Sequence, residues 1–92
     1  MGYLNKMGPE NKKRYNRRWF ILKGSELKYY RSHKDQKRPR GVINLSSWCK
    51  LTKLNSQEAF ELATPQKTYQ LVAKSARECN DWLKGAYNII HV

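Results

Sequence analysis

Ser75-Ala76-Arg77-Glu78-Cys79-Asn80-Asp81-Trp82-Leu83-Lys84-Gly85-Ala86-Tyr87-Asn88-Ile89-Ile90 decides the fold, because the hydrophobic period changes here. Cys79, Trp82, Leu83, Ala86 and Ile90 fall on one stripe, the spacing of a helix with a single buried face. Ser75 and Glu78 stand as in a capping box. The Ser side chain takes the Glu78 amide, and the Glu78 side chain returns to the Ser75 amide. The spacing predicts a helix over 76–90. One amphipathic helix after a run of strands reads as a plug on an open barrel end. Trp82 and Cys79 on its stripe are then core residues, not a cofactor box.

Upstream, the pattern alternates as strands do. Strands are expected over 2–7, 16–23, 26–31, 42–45, 48–54, 59–63 and 68–73. Gly24-Ser25 separates two of them, and a Gly in the first position of a two-residue loop suits a type II′ turn. Thr64-Pro65-Gln66-Lys67 separates the last two, with Pro at the second turn position. Glu10 to Arg14 and Ser32 to Arg40 read as basic loops. Short antiparallel strands at near-regular spacing followed by one helix make an all-β class with a C-terminal α-helix. The 92 residues suffice for one domain.

Charge is the strongest compositional signal. Nineteen Lys and Arg face seven Asp and Glu, a net charge of +12. Residues 1–40 hold thirteen of the bases and three of the acids, net +10. A field so lopsided attracts polyanions. Eleven aromatic residues allow a packed core and argue against disorder. The longest apolar run, Trp19-Phe20-Ile21-Leu22, is too short to cross a bilayer. The first residues show neither a signal-peptide core nor a myristoylation pattern. Cys49 and Cys79 lie far apart, outside any CxxC or Cys/His spacing. They read as reduced thiols in a cytoplasmic protein, with no metal site.

Strand parity directs the cations. Leu4 shares a face with Lys6, Phe20 and Leu22 with Arg18, and Leu27 with Tyr29. Charged groups avoid the middle of a core. Leu4, Phe20, Leu22 and Leu27 therefore fill the interior, while Lys6, Arg18 and Tyr29 line an open rim beside the first basic loop.

These residues carry a resemblance. Gly2-Tyr3-Leu4-Asn5-Lys6, Arg17-Arg18-Trp19-Phe20-Ile21-Leu22 and Leu27-Lys28-Tyr29-Tyr30 resemble the opening of a pleckstrin homology (PH) domain. Pro39-Arg40-Gly41-Val42-Ile43-Asn44-Leu45, Phe60-Glu61-Leu62, Thr68-Tyr69-Gln70-Leu71 and the Glu78/Trp82 helix continue it in order. The resemblance implies a seven-stranded antiparallel barrel of two near-orthogonal sheets capped by the helix, excised from a larger protein of cytoskeletal or signalling type. It implies phosphoinositide head-group binding by Lys6, Arg18, Tyr29 and Arg40. Lys12, Lys13, Arg14, Lys37 and Arg38 are expected as auxiliary basic loop residues toward an anionic membrane surface. Asn16 departs from the pattern, standing where the binding subset carries a first basic residue two positions before its Arg. Arg14 or Lys13 is expected to reach in instead, or affinity is lower.

The expected role is recruitment of a parent protein, as a peripheral module, to the cytoplasmic face of a plasma or endosomal membrane. The isolated domain is expected to be monomeric and to need no cofactor. The alternative is a protein-interaction module for a small GTPase or peptide, with weak lipid binding. A nucleic-acid binder is disfavoured, since no recognition signature for RNA or DNA is present. Catalysis is disfavoured too. His33 lies in a basic loop, His91 lies at the C-terminus, the acids form no dyad, and no phosphate-cradling or nucleophile motif occurs.

Overall fold

A computed structural model describes residues 1–7 and 15–91. The strands are β1 (Gly2–Met7), β2 (Tyr15–Lys23), β3 (Glu26–Tyr30), β4 (Gly41–Asn44), β5 (Lys50–Lys53), β6 (Ala59–Ala63) and β7 (Thr68–Val72), and the helix is α1 (Ala76–Ile90). Consecutive strands pair antiparallel, except that β4 and β5 do not pair. The order is β4-β3-β2-β1-β7-β6-β5. The two halves of the expected seven-stranded antiparallel barrel are continuous through hydrogen bonds. Among the described residues β1 meets β7 at Asn5↔Val72 and Lys6↔Leu71.

Inward residues of both halves meet in one core. Leu4, Phe20, Leu27, Ile43, Phe60, Leu62 and Leu71 are buried, together with Cys79, Ala86 and Ile90 of α1. Leu22, expected in the interior, is half-buried and packs on the core's flank. The helix enters the core through Cys79, Ala86 and Ile90, whereas Trp82 and Leu83 are half-buried at its sides. Trp82 meets Phe20 edge-on, with ring centroids 6.3 Å apart. Ser75 caps the helix by accepting the Glu78 N–H at 3.2 Å. The return contact differs from expectation: the Ser75 hydroxyl, rather than its amide, faces the Glu78 carboxylate at 3.5 Å.

The β2–β3 turn is as expected. Lys23 pairs with Glu26, and Gly24 takes φ +61° while Ser25 does not enter the left-handed region. The largest departure is β5, expected over 48–54. Ser46 organises a turn there, accepting the Trp48 N–H on its Oγ at 3.2 Å and the Cys49 N–H on its carbonyl at 3.0 Å. Trp48 is consequently 82% exposed. Other strand ends differ by one residue, within ordinary fraying: β4 begins at Gly41 and ends at Asn44, β3 ends at Tyr30 and β7 at Val72.

Candidate functional site

Met7, Tyr30 and Ala63, the last residues of β1, β3 and β6, lie at one end of the sheet, since these strands run toward it and β2, β4 and β7 run back. Among the described residues Lys6 is the last of β1 paired to β7, and Thr68, Tyr69 and Gln70 pair only with β6, so the described part of the sheet opens between Lys6 and Tyr69. Lys6, Tyr69, Arg18 and Tyr29 are all half-buried around that opening.

Lys6 is at the centre. Its Nζ lies 5.3 Å from the Tyr29 ring centroid and 5.7 Å from that of Tyr69. Each ring stabilises the cation by about 0.5–1 kcal/mol. Opposing this, burial lowers the Lys6 pKa below its ordinary 10.5, and the nearby positive charges of Lys67 and then Arg18 lower it further. Burial and the neighbouring cations thus disfavour the charge that the two rings attract. Among the described residues the one ion pair within 4 Å is Lys28–Glu26, away from the mouth. A half-buried, crowded cation with no ion-pair partner among the described residues is what an anion would relieve. Burial also pushes the Tyr69 phenol up, with Tyr29 adding to the effect.

Tyr29 is placed by the chain opposite it. Its residue pairs with Gly41, and a Cβ at position 41 would meet the Tyr29 Cζ and Oη at 2.3 Å. Only glycine lets the ring lie there. The Arg40 N–H donates to the Tyr29 carbonyl at 2.7 Å, which brings the Arg40 backbone to the rim while its side chain stays exposed.

The structure therefore brings Lys6, Arg18 and Tyr29 together and puts Arg40 beside them. Lys37 and Arg38 are exposed in the β3–β4 connection. Lys12, Lys13 and Arg14 lie outside the described residues. Sequence reasoning missed Lys67 and Tyr69. The Lys67 Nζ sits 4.9 Å from the Tyr69 ring. Thr64 fixes that turn: its Oγ1 donates to the Lys67 carbonyl at 2.8 Å and accepts from the Gln66 and Lys67 amides at 3.3 and 3.1 Å. The signal available was Thr64-Pro65, which marks a rigid turn; nothing local said which end of the sheet it faced.

On the opposite face a second aromatic group anchors the β3–β4 connection. The Tyr3 hydroxyl contacts His33 Nδ1 at 2.5 Å and accepts the His33 N–H at 3.1 Å. Trp19 packs edge-on against Tyr3 at 4.8 Å, and the Arg17 guanidinium stacks 3.7 Å from the Tyr3 ring. His33 is thus a structural tether. Among the described residues no His, Cys, Asp and Glu cluster could hold a metal, and no helix is long and apolar enough to cross a membrane.

The comparisons with known proteins agree with this fold. The family model for the PH domain matches residues 1–85. The chain is 36% identical over 90 residues to the uncharacterized protein CG43867 of Drosophila melanogaster, and 40% identical over 93 residues to a sterol 3-beta-glucosyltransferase of Neurospora crassa. Each alignment covers 97% of this chain but only 5% and 6% of the relative's length. Among solved structures, the C-terminal PH domain of pleckstrin in complex with D-myo-Ins(1,2,3,5,6)P5 superposes with a TM-score of 0.85. It is 31% identical, covering 97% of this chain and 91% of that one. The same pleckstrin domain with D-myo-Ins(1,2,3,4,5)P5 gives 0.83 at 30% identity, covering 96% of this chain and 93% of that one. With seven antiparallel strands, a closing helix and a family match over most of its length, this chain belongs to the PH domain family and is a non-catalytic module.

Proposed function

We propose that this domain binds phosphoinositide head groups at the mouth formed by Lys6, Arg18 and Tyr29, with Arg40 at its rim, and so recruits a parent protein to the cytoplasmic face of a membrane. The observation that carries the reading is Lys6: half-buried between two tyrosine rings, beside two further cations, with its charged form disfavoured. A phosphorylated inositol brings dense negative charge to that point. Each charge-assisted hydrogen bond contributes about 1.5–3 kcal/mol. Basic side chains near an anionic leaflet add about 1 kcal/mol each. Two specific bonds and several diffuse contacts support micromolar or better binding that weakens with salt. That a similar PH domain is known in complex with inositol pentakisphosphates supports the same ligand class. Stable residence then takes a second signal from elsewhere in the parent chain.

The test is co-sedimentation with vesicles of equal net charge containing either a phosphoinositide or phosphatidylserine, beside an oligonucleotide shift at matched salt. Preference for phosphoinositide vesicles, reduced in Arg18→Ala, is expected. Equal binding to all three polyanions would leave only a charged surface. No binding to any would favour a protein partner instead.

A further inference from the structure

Thr64-Pro65 is the one Ser/Thr-Pro step in the chain, and Lys67 stands at the third position after Thr64. Pro65 has no backbone N–H and biases Thr64 away from the helical region. A hydroxyl followed by Pro, with a cation at the third position beyond it, is the pattern a proline-directed protein kinase reads. The step lies in the β6–β7 turn, where Pro65, Gln66 and Lys67 are exposed and Thr64 is half-buried. We propose that Thr64 is a phosphorylation site for such a kinase, and that its phosphate, in the turn that carries Lys67, weakens inositol phosphate binding at the mouth.

The effect on binding rests on the phosphoinositide reading above; the modification itself does not. In the transfer the kinase's base takes the Thr64 hydroxyl proton and Oγ1 bonds to the γ-phosphorus of a nucleoside triphosphate. That phosphorus parts from the bridging oxygen, which leaves with the nucleoside diphosphate. The turn accommodates both the transfer and its product. The Thr64 Oγ1 bonds run to the Lys67 carbonyl and to the Gln66 and Lys67 amides. Presenting Thr64 to an enzyme therefore breaks local bonds and spares the β6–β7 ladder, which ends at Ala63↔Thr68. Afterwards the Lys67 carbonyl still accepts the Thr64 N–H at 2.9 Å, so losing the hydroxyl donor leaves no orphan. The Gln66 and Lys67 amides then donate to phosphate oxygens, which are stronger acceptors than a hydroxyl. The effect follows from placement. Lys67 Nζ and Lys6 Nζ share the Tyr69 ring, at 4.9 and 5.7 Å from its centroid, and the Lys67 charge bears on Lys6. A phosphothreonine brings about −1.5 to −2 charges to that turn. It competes for the Lys67 ammonium and repels an arriving polyanion.

A cyclin-dependent kinase with ATP, acting on the folded domain, tests the site by mass spectrometry of its peptides. Calorimetric titration of the purified phosphorylated domain with D-myo-Ins(1,2,3,5,6)P5 tests the effect. Phosphate is expected at Thr64, none there in Thr64→Ala, and much slower transfer to Pro65→Ala. Binding should weaken about tenfold or more, with the melting temperature little changed, and phosphatase treatment should restore it. Absence of phosphate at Thr64, or equal rates for Pro65→Ala and the parent, overturns the site. Unchanged affinity of the phosphorylated domain, or loss of binding through unfolding, overturns the effect. If the unmodified domain does not bind the inositol phosphate, the head-group reading fails and the effect with it, while the mass spectrum still decides the site.

Discussion

In the function proposed for this domain, Lys6 is a residue whose burial opposes stability while its charge serves binding. Its folded pKa lies below the ordinary 10.5 because of burial, Lys67 and Arg18. Below the folded pKa both the native and unfolded chains carry the proton, and the native state bears the full electrostatic cost. Between the folded value and 10.5 the unfolded chain binds more protons, so the contribution of this group to stability rises with pH. Lys6→Met keeps the aliphatic stem and removes the charge. It should melt higher than the parent at neutral pH, with the difference shrinking as pH approaches 10.5, and it should lose inositol phosphate binding. A variant that melts lower at neutral pH would show that the rings outweigh the repulsion. Gly41 makes a separate point. A methyl there would press on the far end of the Tyr29 ring at 2.3 Å, and the side chain is free to swing outward. Gly41→Ala should therefore remain folded and bind inositol phosphate several-fold more weakly. Unchanged affinity in a folded variant would exclude Tyr29 from the site.

At the scale of elements, α1 closes the core with small and medium residues. Cys79, Ala86 and Ile90 are buried at 0%, 5% and 3% exposure, while Trp82 packs on the flank against Phe20 and the Gly2 backbone. A fully buried aromatic truncated to Ala costs about 3–5 kcal/mol. Trp82→Ala should cost less, about 2–3 kcal/mol on that scale, and chemical denaturation reads the difference. A loss of 4 kcal/mol or more would mean that Trp82 is the plug. Gly85 runs the other way. Its absent Cβ would meet Leu22 Cδ2 at 3.4 Å, a contact a flexible leucine accommodates, and helix propensity favours Ala over Gly by about 0.8–1 kcal/mol. Gly85→Ala should stabilise the domain by about 0.5–1 kcal/mol; destabilisation would show that β2 and α1 cannot separate even slightly.

For the whole molecule the asymmetry of charge matters most. The net +10 of residues 1–40 accompanies two of the three connections at the mouth end, and Lys67 adds the third. Diffuse attraction and the mouth should be separable. Neutralising Lys37 and Arg38 together should weaken binding to every anionic vesicle by about 2 kcal/mol, roughly thirtyfold, and flatten its salt dependence. Arg18→Ala should instead abolish the preference for phosphoinositide over phosphatidylserine at equal charge. Proportional loss of both activities in both variants would mean that no distinct pocket exists.

Much of this is readable without coordinates, because it depends on neighbours in the chain. The period change at Ser75, the cap, the Gly24 turn and the sharing of a face by Leu4 with Lys6 and Phe20 with Arg18 are local properties. They placed seven strands, one helix and three of the mouth residues. Trp48 was misread because alternation alone does not reveal the Ser46 turn that lifts it from the strand. Other features needed tertiary structure. The joining of the halves by the pairing of β1 with β7, the Tyr29 ring lying against Gly41, the tether of His33 to Tyr3, and above all the meeting of Lys6 with Tyr69 and Lys67 involve residues far apart in sequence. Pairing of the first strand with the last is set by closure of the sheet around the core, a long-range event that no window of sequence encodes. Local chemistry thus determined which residues could bind an anion, and the closing of the sheet decided which of them stand together.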